Sequence, residues 1–228
     1  MIVAEIKPFE EIKNMLKDCN KVLILGCGSC VTVCLSGGER EVELLASALR
    51  MARKIEGNDI NVGERTILRQ CDLEFIDQIK DEAAHYDAIL SMACGAGVQG
   101  IAERLGSIPV LPAMNTTFIG VSDGQGTWVE VCAACGDCIL YKTGGICPVE
   151  RCAKSLINGP CGGSQGGLCE VSKDNPCVWQ QIYARLEKLN LLHFLKVISQ
   201  PKTRPVHPRR LVREDLRLRL KKESTRGV

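Results

Sequence analysis

VLILGCGSCVTVC, residues 22–34, decides how the chain is read. Four consecutive apolar residues closed by Gly26 suit a short strand buried on both faces, the habit of parallel sheets. Cys27, Cys30 and Cys34 then fall in the loop after that strand, at the carboxyl end where an open α/β sheet presents its ligand crevice. Working outward, Pro8 suits the first turn of a helix, and Phe9, Ile12, Met15 and Leu16 follow at helical spacing. Val42, Leu45, Leu49, Ala52 and Ile55 mark a second amphipathic helix over Glu39–Ile55. RTILRQ (65–70), DAILSMA (87–93) and IPVLPA (108–113) read as further strands, with helices around Phe75–Ala84 and Val98–Leu105 between them. Such alternation predicts an α/β fold, with a Rossmann-like sheet of about four parallel strands.

From about Trp128 the texture changes. Residues 132–177 hold eight cysteines and little hydrophobic periodicity, so a core of ordinary size cannot form there and metal centres are expected to organise the segment. Helical period returns through Val178, Ile182, Leu186 and Leu189, predicting a helix over Val178–Val197 that packs the cysteine-rich segment against the α/β part. The expected organisation is residues 1–128 as the α/β domain with its own cysteine cluster, 129–200 as a cysteine-rich iron–sulfur module with its packing helix, and 201–228 as a basic extended tail. In that tail ten Lys/Arg face three acids, +7 of a net +2, which leaves −5 for the rest. Without stacking aromatics or a known motif it is read as a docking arm or a solvated terminus, and nucleic acid is not an expected partner.

The chain has 228 residues, of which 45% are apolar, only 4% aromatic and 25% charged, as in an ordinary globular protein. Apolar runs such as Val22–Leu25 and Ala88–Leu90 are far too short to cross a bilayer. MIVAEIKPFEE lacks the basic start and apolar stretch of a secretory signal, so a cytoplasmic protein without membrane contact is expected. In that reducing compartment fourteen cysteines argue for metal ligation rather than a disulfide framework. Cys132-x2-Cys135-x2-Cys138 has the tight spacing of bacterial ferredoxin loops, and Cys147-Pro148, Cys152, Cys161, Cys169 and Cys177 follow. Eight thiolates match two 4Fe–4S clusters. The sequence allocation puts Cys132, Cys135, Cys138 and Cys177 on one, and Cys147, Cys152, Cys161 and Cys169 on the other.

Cys94 also ends a strand, so Cys27, Cys30, Cys34 and Cys94 form a further expected site for a third cluster or a zinc ion. Cys71 is an alternative member, though Cys71 and Cys19 read more simply as small buried hydrophobes. Gly26-x-Gly28 and Gly95-x-Gly97 lack the third glycine of a dinucleotide fingerprint. His85, His193 and His207 stand without a carboxylate or nucleophile pattern, and no catalytic acid–base pair is expected.

CAACGDCILYKTGGICPVERCAKSLINGPCGGSQGGLCEV (132–171), with CVWQQIYARL (177–186), resembles the cysteine-rich C-terminal domain of some methylenetetrahydrofolate reductases. The same domain occurs in the separate MetV-type small subunit of the reductases of acetogens and related anaerobes, and GCGSCVTVC also looks like that subunit. The resemblance implies an electron-transfer subunit of an oxidoreductase complex with no substrate site of its own. Its partner would be a TIM-barrel flavoprotein holding FMN or FAD and reducing methylenetetrahydrofolate to methyltetrahydrofolate. Its electron donor would be ferredoxin or a larger redox complex. The competing reading is a zinc-binding docking subunit without a redox role, since four thiolates also make closed zinc sites.

Overall fold

The computed structural model describes residues 1–202 and 210–217. Its elements run β1 (Ile2–Ile6), α1 (Phe9–Met15), β2 (Lys21–Cys27), α2 (Cys30–Val33), α3 (Glu39–Ile55), β3 (Asn61–Ile67), α4 (Leu73–Asp77), α5 (Lys80–Ala83), β4 (Ala88–Met92), α6 (Gly95–Leu105), β5 (Val110–Pro112), β6 (Met114–Ser122), β7 (Trp128–Glu130), α7 (Pro148–Arg151) and α8 (Val178–Lys188). Four of the strands form a parallel sheet in the order β3-β2-β4-β5, as the sequence implies.

Side-chain alternation on β2 and β4 explains why this sheet is covered on both faces. Val22, Ile24, Leu90 and Met92 point into a cluster with Ile12 and Leu16 from the α1 region and with Val42, Leu45, Ala46 and Leu49 of α3. Leu23, Leu25 and Ile89 point the other way, onto Ile76, Ile79, Ala83 and Ile101 of the helical region from α4 to α6. α3 begins where the Gly38 amide donates to the Glu41 carboxylate (3.0 Å), filling one of the orphan bonds of a helix start. Just before it, a Cβ on Gly37 would lie 2.1 Å from the Met92 carbonyl oxygen, so only glycine lets this loop close over the end of β4.

Several elements differ from the sequence reading. β3 begins at Asn61, four residues before the expected start. It is an edge strand in which only Val62 and Ile67 are buried, so it lacks the continuous apolar run that marks β2. A second, antiparallel sheet in the order β1-β6-β7 was not expected at all. The chain enters it through buried Ala113, whose amide donates to the Ser91 carbonyl of β4 and whose carbonyl accepts from Lys7. The last long helix, α8, stops at Lys188 rather than continuing to Val197. Asn190 takes a left-handed conformation (φ 58°), and Leu192–Lys196 form a separate 3₁₀ turn.

That early stop folds Leu191, Leu192 and Phe194 back onto Val178, Trp179, Ile182 and Leu186. The resulting small core is drawn from residues 146–194, so α8 organises the cysteine-rich segment itself rather than fastening it to the sheet. No helix among the described residues is long and apolar enough to cross a membrane. Of the basic tail, residues 203–209 and 218–228 lie outside the described residues.

Candidate metal centres

The eight C-terminal cysteines divide between two cavities. Cys132, Cys135, Cys138 and Cys147 line one of about 460 Å³. Cys152, Cys161, Cys169 and Cys177 line another of about 210 Å³. Relative to the sequence allocation, Cys147 and Cys177 have changed places. Two local structures account for the exchange. Cys147 and Cys152 flank the single turn of α7, whose N1 position is Pro148, and this turn separates them so that each faces a different cavity. Cys177 is held beside Cys169 by a tight reversal, in which the Cys169 amide donates to Asn175 O (2.8 Å) and the Cys177 amide to Gly167 O (2.7 Å).

The first cavity is built on a loop that turns through Ala134 (φ 49°) and Gly136 (φ 88°), so successive thiols can face inward. The Ala134 amide donates to Cys132 Sγ (3.4 Å). Lys202 caps the same loop, its Nζ donating to the Asp137 carbonyl and lying 3.2 Å from the carboxylate. A strap just before it is fixed by a reciprocal pair, Asn158 Nδ2 to Ser199 O (2.9 Å) and Ser199 N to Asn158 Oδ1 (2.7 Å).

The second cavity carries charge as well as thiols. Cys161 Sγ donates to Glu170 Oε2 (3.1 Å), and Lys154 Nζ lies 2.9 Å from the same oxygen. Lys154, and then the Cys161 hydrogen bond, hold the Glu170 carboxyl below its usual range. Backbone amides at Ser172 and Val171 pull the Cys169 thiol down, the behaviour expected of a metal-ligating sulfur. Arg151 lines both cavities and so stands between them. Four soft thiolate donors per cavity suit iron–sulfur or zinc chemistry better than hard cations. Among the described residues, no three Cys, His, Asp or Glu side chains already converge on a point where one ion could sit.

The N-terminal cysteines are distributed differently from the expectation. Cys27 is buried at the end of β2, with Sγ 3.9 Å from Leu68 O. Burial pushes its thiol up, the Gln70 and Ser29 amides oppose that shift, and Cys71 and Cys94 lie near enough to raise it further. Cys34 is turned away, its Sγ 3.5 Å from Ile2 O beside a groove formed by β1 and Trp128. Cys30, half-buried at the start of α2, lies near Cys34 and on the same loop as Cys27. Cys71, an alternative member by its place past a strand end though read more simply as a small buried hydrophobe, is instead exposed and lies near Cys27.

Gln70 holds this arrangement. Fully buried, it donates from Nε2 to Leu25 O of β2 (2.7 Å) and accepts from Ser91 Oγ of β4 (2.6 Å). Replacing it with leucine strands both partners without water. Stability is expected to fall by about 3 kcal/mol, read as a lower denaturant midpoint at an unchanged m-value.

The fold and these sites define a class: a parallel α/β chain with an appended cysteine-rich module whose thiols line two cavities. Residues 111–204 match the family model described as methylene-tetrahydrofolate reductase C terminal. The resemblance read from the cysteine run is thereby borne out, and the domain associates the chain with an oxidoreductase. No curated protein and no solved structure matches the chain.

Proposed function

We propose that this chain is the iron–sulfur electron-transfer subunit of a methylenetetrahydrofolate reductase complex, of the MetV type. The observation that carries the reading is the partition of eight cysteines into two cavities of four. In this reading Cys132, Cys135, Cys138 and Cys147 hold one 4Fe–4S cluster, and Cys152, Cys161, Cys169 and Cys177 hold the other. Such clusters supply one-electron chemistry, whereas reducing a methylene group to a methyl group takes two electrons together. A flavin in a TIM-barrel partner can collect the two and deliver them as a hydride equivalent.

The chain's own residues suit that division of labour. Cys132, Cys138 and Cys161 are exposed, so both sites reach the surface where a donor and an acceptor could approach. Arg151 places a fixed positive charge between the two cavities, which favours the more negative, reduced state of whatever they hold. Ala134, Ser172 and Val171 supply backbone N–H groups toward ligand sulfurs, acting in the same direction. Ferredoxin or a larger redox complex is the expected donor, a flavin-containing reductase subunit the partner, and the cytoplasm the setting.

The test is metal and sulfide analysis of anaerobically prepared full-length chain, followed by mixing with the flavoprotein partner. Roughly eight or more iron with equal acid-labile sulfide is expected, together with reduction of the partner's flavin by the dithionite-reduced chain. Zinc without sulfide would overturn the redox role and leave a docking subunit.

A further inference from the structure

We infer that Cys27, Cys71 and Cys94, with Cys30 as the fourth thiol, form a separate thiophilic metal site at the carboxyl edge of the parallel sheet, and that Cys34 takes no part in it. The argument starts from topology. β2 and β4 are adjacent parallel strands, so their carboxyl ends lie side by side. Cys27 is the last residue of β2, and Cys94 caps α6 two residues beyond β4. β3 flanks β2 on its other side, and the loop leaving it carries Cys71.

Three contacts then draw that loop across the strand ends. The Gln70 side chain bridges Leu25 O and Ser91 Oγ, one partner on the strand of Cys27 and the other on the strand that leads to Cys94. Gly28 N donates to Ile67 O (2.9 Å), and Ser29 Oγ to Leu68 O (2.7 Å), pinning the Cys27–Cys30 loop onto the same segment. A Cβ on Gly97 would meet Gln70 Cβ at 2.9 Å, so the start of α6 approaches this segment closely. A fully buried glutamine spent on positioning one loop residue is costly unless that residue matters, since its amide must find both partners inside the protein.

The donor set favours a soft metal. Cys27 lies near both Cys71 and Cys94 at the carboxyl edge of the parallel sheet, and Cys27-x2-Cys30 has the chelate spacing of zinc and iron–sulfur sites. On loading, each thiol releases its proton to solvent and binds as thiolate. Cys34 is excluded because its thiol faces the antiparallel sheet, 3.5 Å from Ile2 O and in the groove lined by β1 and Trp128, away from the strand ends of β2 and β4.

This site stands independently of the two cavities in the cysteine-rich module, and the experiment keeps them apart. The full chain is prepared anaerobically, in parallel batches reconstituted with ferrous iron plus sulfide or with zinc alone, then alkylated with N-ethylmaleimide and mapped by peptide mass spectrometry. Cys71, although exposed, is expected to resist alkylation along with Cys27 and Cys94 until a chelator is added. The batch that confers protection identifies the metal. Free labelling of Cys71 in both batches, with the eight module cysteines protected, overturns the site and leaves the proposed function standing.

Metal counts on variants give a second reading. The Cys71→Ser/Cys94→Ser chain is expected to lose one zinc or about four iron relative to wild type, whereas Cys34→Ser loses none. Wild-type content in the double variant, or the same loss from Cys34→Ser, overturns the assignment.

Discussion

A chain carrying Cys132→Ser together with Cys147→Ser is expected to lose about four iron, while Cys132→Ser with Cys177→Ser loses about eight. Both pairs remove two thiols, so composition alone predicts no difference. The contrast comes from which cavity each thiol lines. Cys132 and Cys147 share one, so their combined loss leaves Cys152, Cys161, Cys169 and Cys177 as a complete set. Cys132 and Cys177 belong to different cavities, so each is left with three thiols and both clusters become labile. The allocation expected from the sequence, with Cys177 beside Cys132 and Cys147 on the other cluster, predicts the opposite pairing, with the larger loss in the Cys132/Cys147 variant. Iron and acid-labile sulfide per chain, with the visible thiolate-to-iron absorbance, decide between them. The functional consequence scales in the same way, since a chain retaining one cluster keeps part of the route and a chain retaining neither cannot carry electrons to a flavin.

That exchange of Cys147 and Cys177 shows where sequence reasoning stopped. Membership of the thiol set was visible because spacings such as Cys132-x2-Cys135-x2-Cys138 are local. Pairing across the set depends on the α7 turn and on the reversal that brings Cys169 beside Cys177, and neither leaves a periodic trace. The parallel sheet was legible for a similar reason. Strands buried on both faces, such as β2 and β4, print unbroken apolar runs. β6 did not, because MNTTFIGVS is largely exposed or half-exposed and pairs with residues more than a hundred positions away. The end of α8 was missed because Leu189 and Leu192 continue the helical period, although Asn190 has already left the helix. Cys34 and Cys71 make the same point at the N-terminal thiols. Cys34 is close to Cys30 in sequence yet turns toward β1, whereas Cys71 is distant and is carried in by Gln70.

Stripping metal from the chain is expected to unfold residues 132–177 while leaving the parallel sheet intact. The two halves are held by different means. β2 and β4 are packed on both faces by two clusters that contain fully buried Leu16, Ile24, Leu49, Ile76, Ile89 and Ile101, among others. The cysteine-rich module has one small cluster, whose buried members are Cys177, Val178, Trp179, Ile182 and Leu186, and among its described residues strand-type pairing from residue 132 on is limited to isolated bridges. Ordering each residue costs roughly 1–2 kcal/mol of backbone entropy, so a segment of this length cannot be fixed by one small cluster alone. Structural thiolate sites contribute about 10–16 kcal/mol to folding in comparable metal-bound units, enough to reverse the balance. Hydrogen exchange followed by mass spectrometry, before and after anaerobic chelation, reads the outcome by segment. Amides of β2 and β4 should stay protected, those between Cys132 and Cys177 should exchange rapidly, and those of α8 should fall between. Unchanged protection across 132–177 would mean that the cluster around Trp179, with its indole N–H on Leu156 O (2.9 Å), suffices to fold the module. The metal would then be a passenger of a preformed scaffold, and loss of a cluster would leave the partner-docking surface in place. With the expected outcome the two are inseparable, because the same thiolates that carry the electrons also shape the surface through which they leave.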